Sequence, residues 1–446
     1  MEDTLYEPEK LLDLAHKACE AAVREGAEQA ETWAGAGKST SVVLEKSAIK
    51  SSDVRTSGSI AVRAYFRGGV GYASTDKLDE DAILGTARSA AQLAKLAEPD
   101  PDFISLPGPG SYPSVAGLFD PKIAEMDVRD IINSCIAQLD AAKDVTAEAN
   151  VSGGASVAWS NWAVANSLGV GASGKNSFLG MFTMVIVRRG DDVGTFYDFD
   201  QARLLSDFDP SGLGKSAAEM ALRFLGARKI ETKVMPVVLG PLAGLSVFYE
   251  VARSANAEDV QRNRSFLIGM RGEKIGSDVL TLVDDPLIPG GLSSRECDAE
   301  GFPSRRTPIM EGGVLLTYLH NSYTANKAKE PNTGHAGRGG IGPTNIVPKL
   351  GAKTGDQIIS EIDEGLYVNE GGIHANPVTG EVSASVDFGF KIEKGELAYP
   401  VQNTMIGGNF LDMLANIDAI SSDYRSEPGL IMPTIRIQGV SVAGGK

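Results

Sequence analysis

The sequence predicts an α+β protein with an N-terminal α/β domain and a C-terminal domain made mainly of antiparallel β-strands. Apolar residues recur at helical spacing near the start of the chain, and two strand-like segments joined by a glycine turn follow. The second half is rich in glycine and strands but has few helices. We place the domains at 1–228 and 233–446, with helices on a mixed or antiparallel sheet in the first and a barrel- or sandwich-like second domain.

The N-terminal elements follow from apolar spacing and turn residues. Pro8 suits a first helical turn, where its missing N–H costs nothing, and Gly26 offers a stop. Further helices are expected near 79–97, 127–143 and 213–225. Strands are expected at 40–46, 59–66, 148–158, 161–166 and 179–188. The turn Arg67-Gly-Gly predicts a hairpin after the second of these strands.

In the C-terminal half, apolar residues alternate with polar or small ones from Ala384 to Ile392, which predicts one half-buried strand. Glu393-Lys-Gly-Glu then predicts a hairpin turn, and residues 434–440 predict a closing strand. Helices are expected to be few in this half, chiefly at 241–255 and 409–416.

Composition and charge exclude several classes of protein. The chain of 446 residues has a net charge of −16, which disfavours a nucleic-acid-binding surface. Three scattered cysteines cannot form a disulfide framework. No apolar run is long enough to cross a bilayer, and the acidic start lacks a secretion signal. We therefore expect a cytoplasmic protein.

Two glycine-rich segments are candidates for ligand binding. Gly212-Leu-Gly-Lys-Ser is similar to a phosphate loop, but Asp209 stands where that motif requires its first glycine. We therefore interpret the segment as a polar helix start. The loop Thr333-Gly-His-Ala-Gly-Arg-Gly-Gly offers backbone N–H groups, a cation and an imidazole. It is either a surface facing a ligand or substrate, or a mobile loop.

Metal-binding and acid–base sites are only weakly indicated. Residues of types that bind metals are present, but none has the short spacing that makes a metal site predictable: Cys297, His320, His335 and His374. Asp284-Asp285 and Asp298-Ala-Glu300 place carboxylates near turn residues. Such carboxylates can perform acid–base chemistry if burial shifts their pKa, and otherwise they cap turns.

Several long motifs of the second half resemble the TldD/PmbA family of peptidase subunits (peptidase family U62). They are Val237-Val-Leu-Gly-Pro, the segment from Leu280 to Leu292, Cys297-Asp-Ala-Glu-Gly-Phe-Pro, and Asn332-Thr-Gly-His-Ala. The C-terminal segment from Pro433 is similar to the PmbA (TldE) branch. The resemblance covers nearly the whole chain.

The resemblance implies a specific chemical difference from the zinc-binding members. TldD-type chains carry His-Glu-x-x-x-His after the Val-Val-Leu-Gly-Pro strand, with a cysteine near the C-terminus, and bind zinc through these residues. In this register the motif falls on Tyr249, Glu250 and Ser254, so both histidines are absent. The terminal segment 421–426 has no cysteine either. The resemblance thus implies a chain without a metal or catalytic residues of its own.

The resemblance also implies partners and a role. A zinc-binding TldD-like chain is expected to pair with this one, as a heterodimer or larger assembly that cleaves unfolded peptides. His335, Arg338 and His374 are then candidate contacts in the peptide chamber. An alternative is a stand-alone peptide- or protein-binding regulator, similar to a gyrase modulator and acting as a homodimer. A third hypothesis is a hydrolase with a centre rebuilt from Cys297 and the histidines.

Overall fold

The structure, a computed structural model, describes residues 6–445. Its helices are α1 Pro8–Arg24, α2 Glu80–Leu96, α3 Pro121–Glu125, α4 Val128–Val145, α5 Pro210–Arg223, α6 Pro241–Ser254, α7 Ala257–Gln261, α8 Ser322–Ala328, α9 Gly355–Ser360 and α10 Phe410–Ala415. Strands of the N-terminal half are β1 Gln29–Glu45, β2 Ala48–Phe66, β3 Gly69–Thr75, β4 Asn150–Asn166, β5 Gly171–Arg189 and β6 Asp192–Ala202.

The second half contains many shorter strands. They are β7 Lys233–Leu239, β8 Leu282–Asp284, β9 Thr307–Glu311, β10 Val314–Leu315, β11 Ala336–Gly337, β12 Gly340–Ile341, β13 Ile346–Pro348, β14 Glu364–Glu370, β15 Glu381–Ser385, β16 Phe388–Glu393, β17 Glu396–Val401, β18 Met405–Asn409, β19 Ile417–Glu427 and β20 Leu430–Ala443.

A six-stranded antiparallel sheet organises the N-terminal half, in the order β3-β2-β1-β4-β5-β6. Helices α1 and α2 pack on β1 and β2 through small apolar residues, and α4 and α5 pack near β5 and β6. The predicted helices and the hairpin at Arg67 are confirmed. The predicted strands 148–158 and 161–166 form one continuous strand, because β4 pairs with its neighbours throughout its length.

Two sheets in the C-terminal half share one hydrophobic core. An eight-stranded sheet has the order β15-β18-β20-β7-β14-β16-β17, with β19 paired to β20. A four-stranded sheet has the order β10-β9-β8-β13, and α6 contacts strands of both sheets. The pairing is antiparallel except between β7 and β14. The predicted mainly antiparallel half with few helices is therefore confirmed. The division at 228 and 233 stays a prediction; the strands of the first sheet lie within 29–202.

The strand predicted from Ala384 to Ile392 was wrong. The chain forms β15 and β16 on either side of a break at Val386-Asp387, and these strands have different partners. Residues 388–392 are all buried, so β16 has no solvent-facing side. The predicted turn after it is confirmed, because β16 and β17 pair across Lys394 and Gly395, which both have positive φ.

Within residues 6–445, the helices are all too short or too polar to span a bilayer.

Candidate functional site

Helix α6 carries the three positions of the zinc motif. Pro241 starts the helix directly after β7, and Gly240 joins the two elements. A Cβ at Gly240 would lie 2.3 Å from the hydroxyl oxygen of Tyr367, so a side chain does not fit there. Apolar residues on the inner side, such as Val247 and Phe248, fix the helix against the core. The register of Tyr249, Glu250 and Ser254 follows from this packing.

Glu250 is a buried carboxylate whose charge is already compensated. Its side chain is 1% exposed, and Nη2 of Arg253 lies 2.6 Å from Oε1. The hydroxyl of Ser254 donates to the same oxygen over 3.3 Å. The other oxygen, Oε2, lies 3.8 Å from Nδ1 of His374, whose side chain is 77% exposed. The carboxylate is therefore held by its own helix and by one histidine at the surface.

Tyr249 is a hydrogen-bond donor and a poor metal ligand. Its hydroxyl donates to the carbonyl oxygen of Thr344 over 3.0 Å. Burial raises the pKa of Tyr249 to about 12, with a further contribution from the charge of Asp284. The phenol is thus neutral at physiological pH, with its proton engaged. Zinc ligands in proteins are thiolates, neutral imidazoles and carboxylates.

His335 lies at the buried base of the predicted ligand loop. Its Nδ1 is 2.9 Å from Oγ1 of Thr333, and its Nε2 is 3.3 Å from Oδ1 of Asp284. Asp284 is fully buried and accepts hydrogen bonds from the backbone N–H (2.6 Å) and the hydroxyl of Thr344. The same Thr344 accepts from Tyr249, so one residue joins this cluster to α6. No sequence spacing pointed to Thr344, which is 60 residues from Asp284.

The glycine-rich loop therefore divides into two parts. Residues 333–336 are buried, and β11 and β12 then form a small hairpin whose tip carries the exposed Arg338. The chamber contacts predicted for His335, Arg338 and His374 stay predictions. Exposure favours Arg338 and His374, because the side chain of His335 is buried and its Nδ1 is engaged with Thr333.

The other candidate metal ligands lie in separate environments. Cys297 packs beside Trp33 and Val164, and burial raises the pKa of its thiol to about 12. Burial also lowers the pKa of His320, whose Nδ1 contacts Thr324. Among residues 6–445, no three side chains of metal-binding type come together in a way that could hold an ion. The donor set on α6 and around it does not fit a zinc ion.

The candidate carboxylates act mainly as acceptors for backbone N–H groups. Asp298 accepts from Glu300, Phe302 and Ala336, and burial raises its pKa to about 7. Glu300 accepts from the N–H of Ser322 at the start of α8. Asp285 caps a turn at Leu287. These geometries are those of turn and helix caps.

A further buried acid, Glu31 on β1, was not singled out from the sequence. It accepts from Arg63 and Tyr65 and is influenced by Asp298 and Glu300 across the contact between the two halves. Burial raises its pKa to about 8. Its partners are distant in the chain, so no local pattern could have identified it.

The segment similar to a phosphate loop is a helix start, as predicted. Asp209 caps α5 by accepting from the N–H of Gly212 over 2.9 Å. Gly214 lies against α4, and a Cβ there would be 2.0 Å from the carbonyl oxygen of Gln138. This glycine serves helix packing.

Comparisons with known proteins agree with this architecture. Three models of PmbA/TldA metallopeptidase domains match residues 34–94 (domain 1), 121–225 (central domain) and 232–444 (C-terminal domain). The chain belongs to the PmbA/TldD family. The resemblance noted in the sequence, including that to the PmbA/TldE branch, is confirmed.

Relatives within the PmbA/TldD family match over most of their length. The metalloprotease PmbA of Escherichia coli O157:H7 is 26% identical over 413 residues, which are 89% of this chain and 88% of that protein. The crystal structure of TldE from Thermococcus kodakarensis is 25% identical with a TM-score of 0.89, over 97% of this chain and 100% of that one. A putative modulator of a DNA gyrase from Thermotoga maritima is 25% identical with a TM-score of 0.87, covering 97% and 99%.

Proposed function

We propose that this chain is a non-catalytic subunit of a metallopeptidase, pairing with a zinc-binding TldD-like chain to enclose and present unfolded peptides. The observation that carries this proposal is the state of the motif positions on α6. A neutral phenol, a charge-compensated carboxylate and a serine stand where a zinc-binding member has His-Glu-x-x-x-His. In this proposal the zinc belongs to the partner chain.

The protein partner and the peptide are the expected binding partners, without direct contact to nucleic acid or membrane. The net charge of −16 disfavours a nucleic-acid surface and so supports action on polypeptides. Strand-rich domains can bind extended peptides by adding them to a sheet edge, which gives affinity with little sequence preference.

The test is reconstitution with metal analysis. This chain is purified alone and with a His-Glu-x-x-x-His chain from the same organism, and zinc content and cleavage of an unfolded peptide are measured. We expect zinc and cleavage only when the second chain is present. A partner variant with both motif histidines changed to alanine is the control and should abolish cleavage. Stoichiometric zinc in this chain alone would contradict the proposal.

A second candidate is a regulator that works as a homodimer without proteolysis. The likeness to a protein described as a putative modulator of a DNA gyrase favours it. Size measurement of the purified chain separates the two: a stable homodimer that binds peptides and ignores a TldD-like chain supports the regulator. Inhibition by a chelator of any activity of the chain alone would instead revive a rebuilt hydrolytic centre.

A further inference from the structure

A cleft of about 420 Å³ lies between the six-stranded sheet and loops of the C-terminal half. Three arginines line it: Arg203 after β6, Arg295 in the loop before Cys297, and Arg338 at the tip of the β11–β12 hairpin. Trp33 and Trp162 supply apolar surface. The volume is in the range of pockets that bind small ligands.

Arg203 is a buried cation that forms no ion pair with any of residues 6–445. Its side chain is about nine-tenths buried, with 9% of the residue exposed. Nη1 donates to the carbonyl of Leu118 (3.3 Å) and to Oδ1 of Asn176 (3.2 Å), and Nη2 donates to the carbonyl of Leu292 (2.7 Å). All three acceptors are neutral, and burial alone lowers the pKa of the guanidinium. A buried charge in this state is costly unless an anion joins it.

Arg295 is half-buried and also donates only to neutral oxygens, although the carboxylate of Asp298 lines the same cleft. Its Nη1 and Nη2 donate to the carbonyls of Ala336 (3.4 Å) and Gly334 (3.1 Å). Its Nε is buried and has no hydrogen-bond partner among residues 6–445. Asp298 is near enough to interact electrostatically, but its oxygens already accept three backbone N–H groups.

Arg338 adds a third cation at the mouth of the cleft. It is exposed, and it forms no ion pair within the described part of the chain. The chain has 58 acidic residues, so arginines that serve only structure would readily find carboxylates. Arg425 illustrates this, since it binds the carboxylates of Asp198 and Glu427 at 2.7 and 2.8 Å.

We propose that this cleft binds a carboxylate of a peptide, held by the guanidinium groups of Arg203, Arg295 and Arg338. Planar guanidinium groups match carboxylates through paired hydrogen bonds, and the tryptophans provide an apolar wall for the adjoining residue. The choice of a peptide rests on the proposed function, whereas the choice of a carboxylate rests on the unbalanced cations. A peptide has two sources of a carboxylate, its C-terminus and an acidic side chain, and both present the same group to the arginines.

The test measures binding of short fluorescent peptides to the full chain alone by fluorescence anisotropy. One peptide has neutral side chains and a free C-terminus, a second has the C-terminus amidated, and a third is amidated but contains glutamate. We expect amidation to weaken binding of the neutral peptide at least about tenfold, since bonds to charged groups are lost. Recovery with the third peptide would support the side-chain source of the carboxylate. Equal binding of all three peptides would overturn the proposal.

Variants locate the site. Arg338→Ala and Arg295→Gln should each weaken binding of the free peptide about tenfold. Arg129→Ala, on the exposed face of α4 outside the cleft, should leave binding unchanged. If Arg295→Gln unfolds the chain, the result with Arg338→Ala decides whether the cleft binds the peptide, because the side chain of Arg338 is exposed. Unchanged binding in Arg338→Ala, or binding of inorganic phosphate without any binding of the peptides, would overturn the proposal.

The peptide-binding test does not depend on the presence of a TldD-like partner chain. If the chain alone binds peptides by this cleft but does not support cleavage by a TldD-like chain, the subunit proposal fails and the cleft proposal stands. If cleavage is reconstituted but peptide binding ignores the carboxylate, only the cleft proposal fails.

Discussion

Thr344 connects two regions of the molecule, because its carbonyl accepts from Tyr249 on α6 and the residue also lines the arginine cleft. The two regions differ in whether their charged groups have partners of opposite charge. On α6, Glu250 faces the cation of Arg253, and the hydroxyl of Tyr249 has its acceptor. In the cleft, the buried guanidinium of Arg203 and the half-buried guanidinium of Arg295 donate hydrogen bonds only to neutral oxygens. The polar groups at the motif positions on α6 are paired within the protein, whereas the cleft, which has no recognised motif, keeps cationic groups for binding a ligand. Unbalanced charge is therefore the better guide to ligand binding in this chain.

The variant with the largest expected effect on stability tests the hydrogen bonds between Asp284 and Thr344, which lie beside α6. Asp284→Ala leaves the buried N–H and hydroxyl of Thr344 without acceptors, so we expect a loss of about 3–5 kcal/mol in the free energy of unfolding. Urea denaturation measures it. Asp285→Ala is the matched control, because that side chain is partly exposed, caps one turn and forms a 3.6 Å ion pair with the exposed Arg306; its loss should cost about 1 kcal/mol. Equal losses would contradict the comparison.

A second pair of variants compares Arg425, which has two counter-charges, with Arg203, which has no ion pair among the described residues. Arg425→Met strands the buried carboxylates of Asp198 and Glu427, so we expect a loss of about 3 kcal/mol or more. Arg203→Met removes three bonds to neutral oxygens but also the cost of a buried charge, so about 1–2 kcal/mol is expected. Urea denaturation again provides the values. A larger loss for Arg203→Met would show that its charge is already balanced.

The buried acid Glu31 predicts a pH dependence. Its pKa is raised from 4.5 to about 8, so the folded protein holds this proton more tightly than the unfolded chain. The free energy of unfolding should therefore fall as pH rises from about 4.5 to about 8, by up to about 1.4 kcal/mol per pH unit. Glu31→Gln should flatten this slope, while Glu20→Gln on the exposed face of α1 should not. An unchanged slope in Glu31→Gln would show that Glu31 is ionised.

The smallest effect concerns Tyr249. Tyr249→Phe removes one hydrogen bond, to the carbonyl of Thr344, and should cost about 1 kcal/mol without changing peptide cleavage by the reconstituted complex. Tyr318→Phe is the matched control, since its hydroxyl donates to the carbonyl of Leu267. Loss of cleavage in a folded Tyr249→Phe complex would give this phenol a role beyond structure.

Local patterns predicted the helices because those depend on apolar spacing and on residues adjacent in the chain, whereas the register of the motif positions on α6 came from the resemblance to the family. The alternation from Ala384 to Ile392 gave a wrong prediction of one half-buried strand. Both sides of β16 are buried, because one side packs in the sheet's core and aromatic residues pack on the strand. Period-2 spacing cannot detect a break that sends two halves to different strand partners.

The cleft and the buried acids could not be predicted for the same physical reason. Arg203 and Arg295 line the same cleft only because the first sheet packs against a loop of the second half. Glu31 lies near Glu300 for the same reason. The purely neutral hydrogen-bond partners of Arg203 are a property of the folded environment, which no spacing in the sequence encodes. The candidate ligands Cys297 and His320 lie apart for the converse reason: nothing in the fold brings them to one point.

Thr344 couples the two regions mainly through its main chain. Its carbonyl accepts from Tyr249 on α6, its N–H donates to Asp284, and the residue also lines the cleft. Only its hydroxyl, which donates to the other oxygen of Asp284, depends on the side chain. Valine at this position would remove that single bond and leave the acceptor of Tyr249 in place. The path of one backbone segment therefore determines both where the phenol of α6 is held and where one wall of the cleft lies.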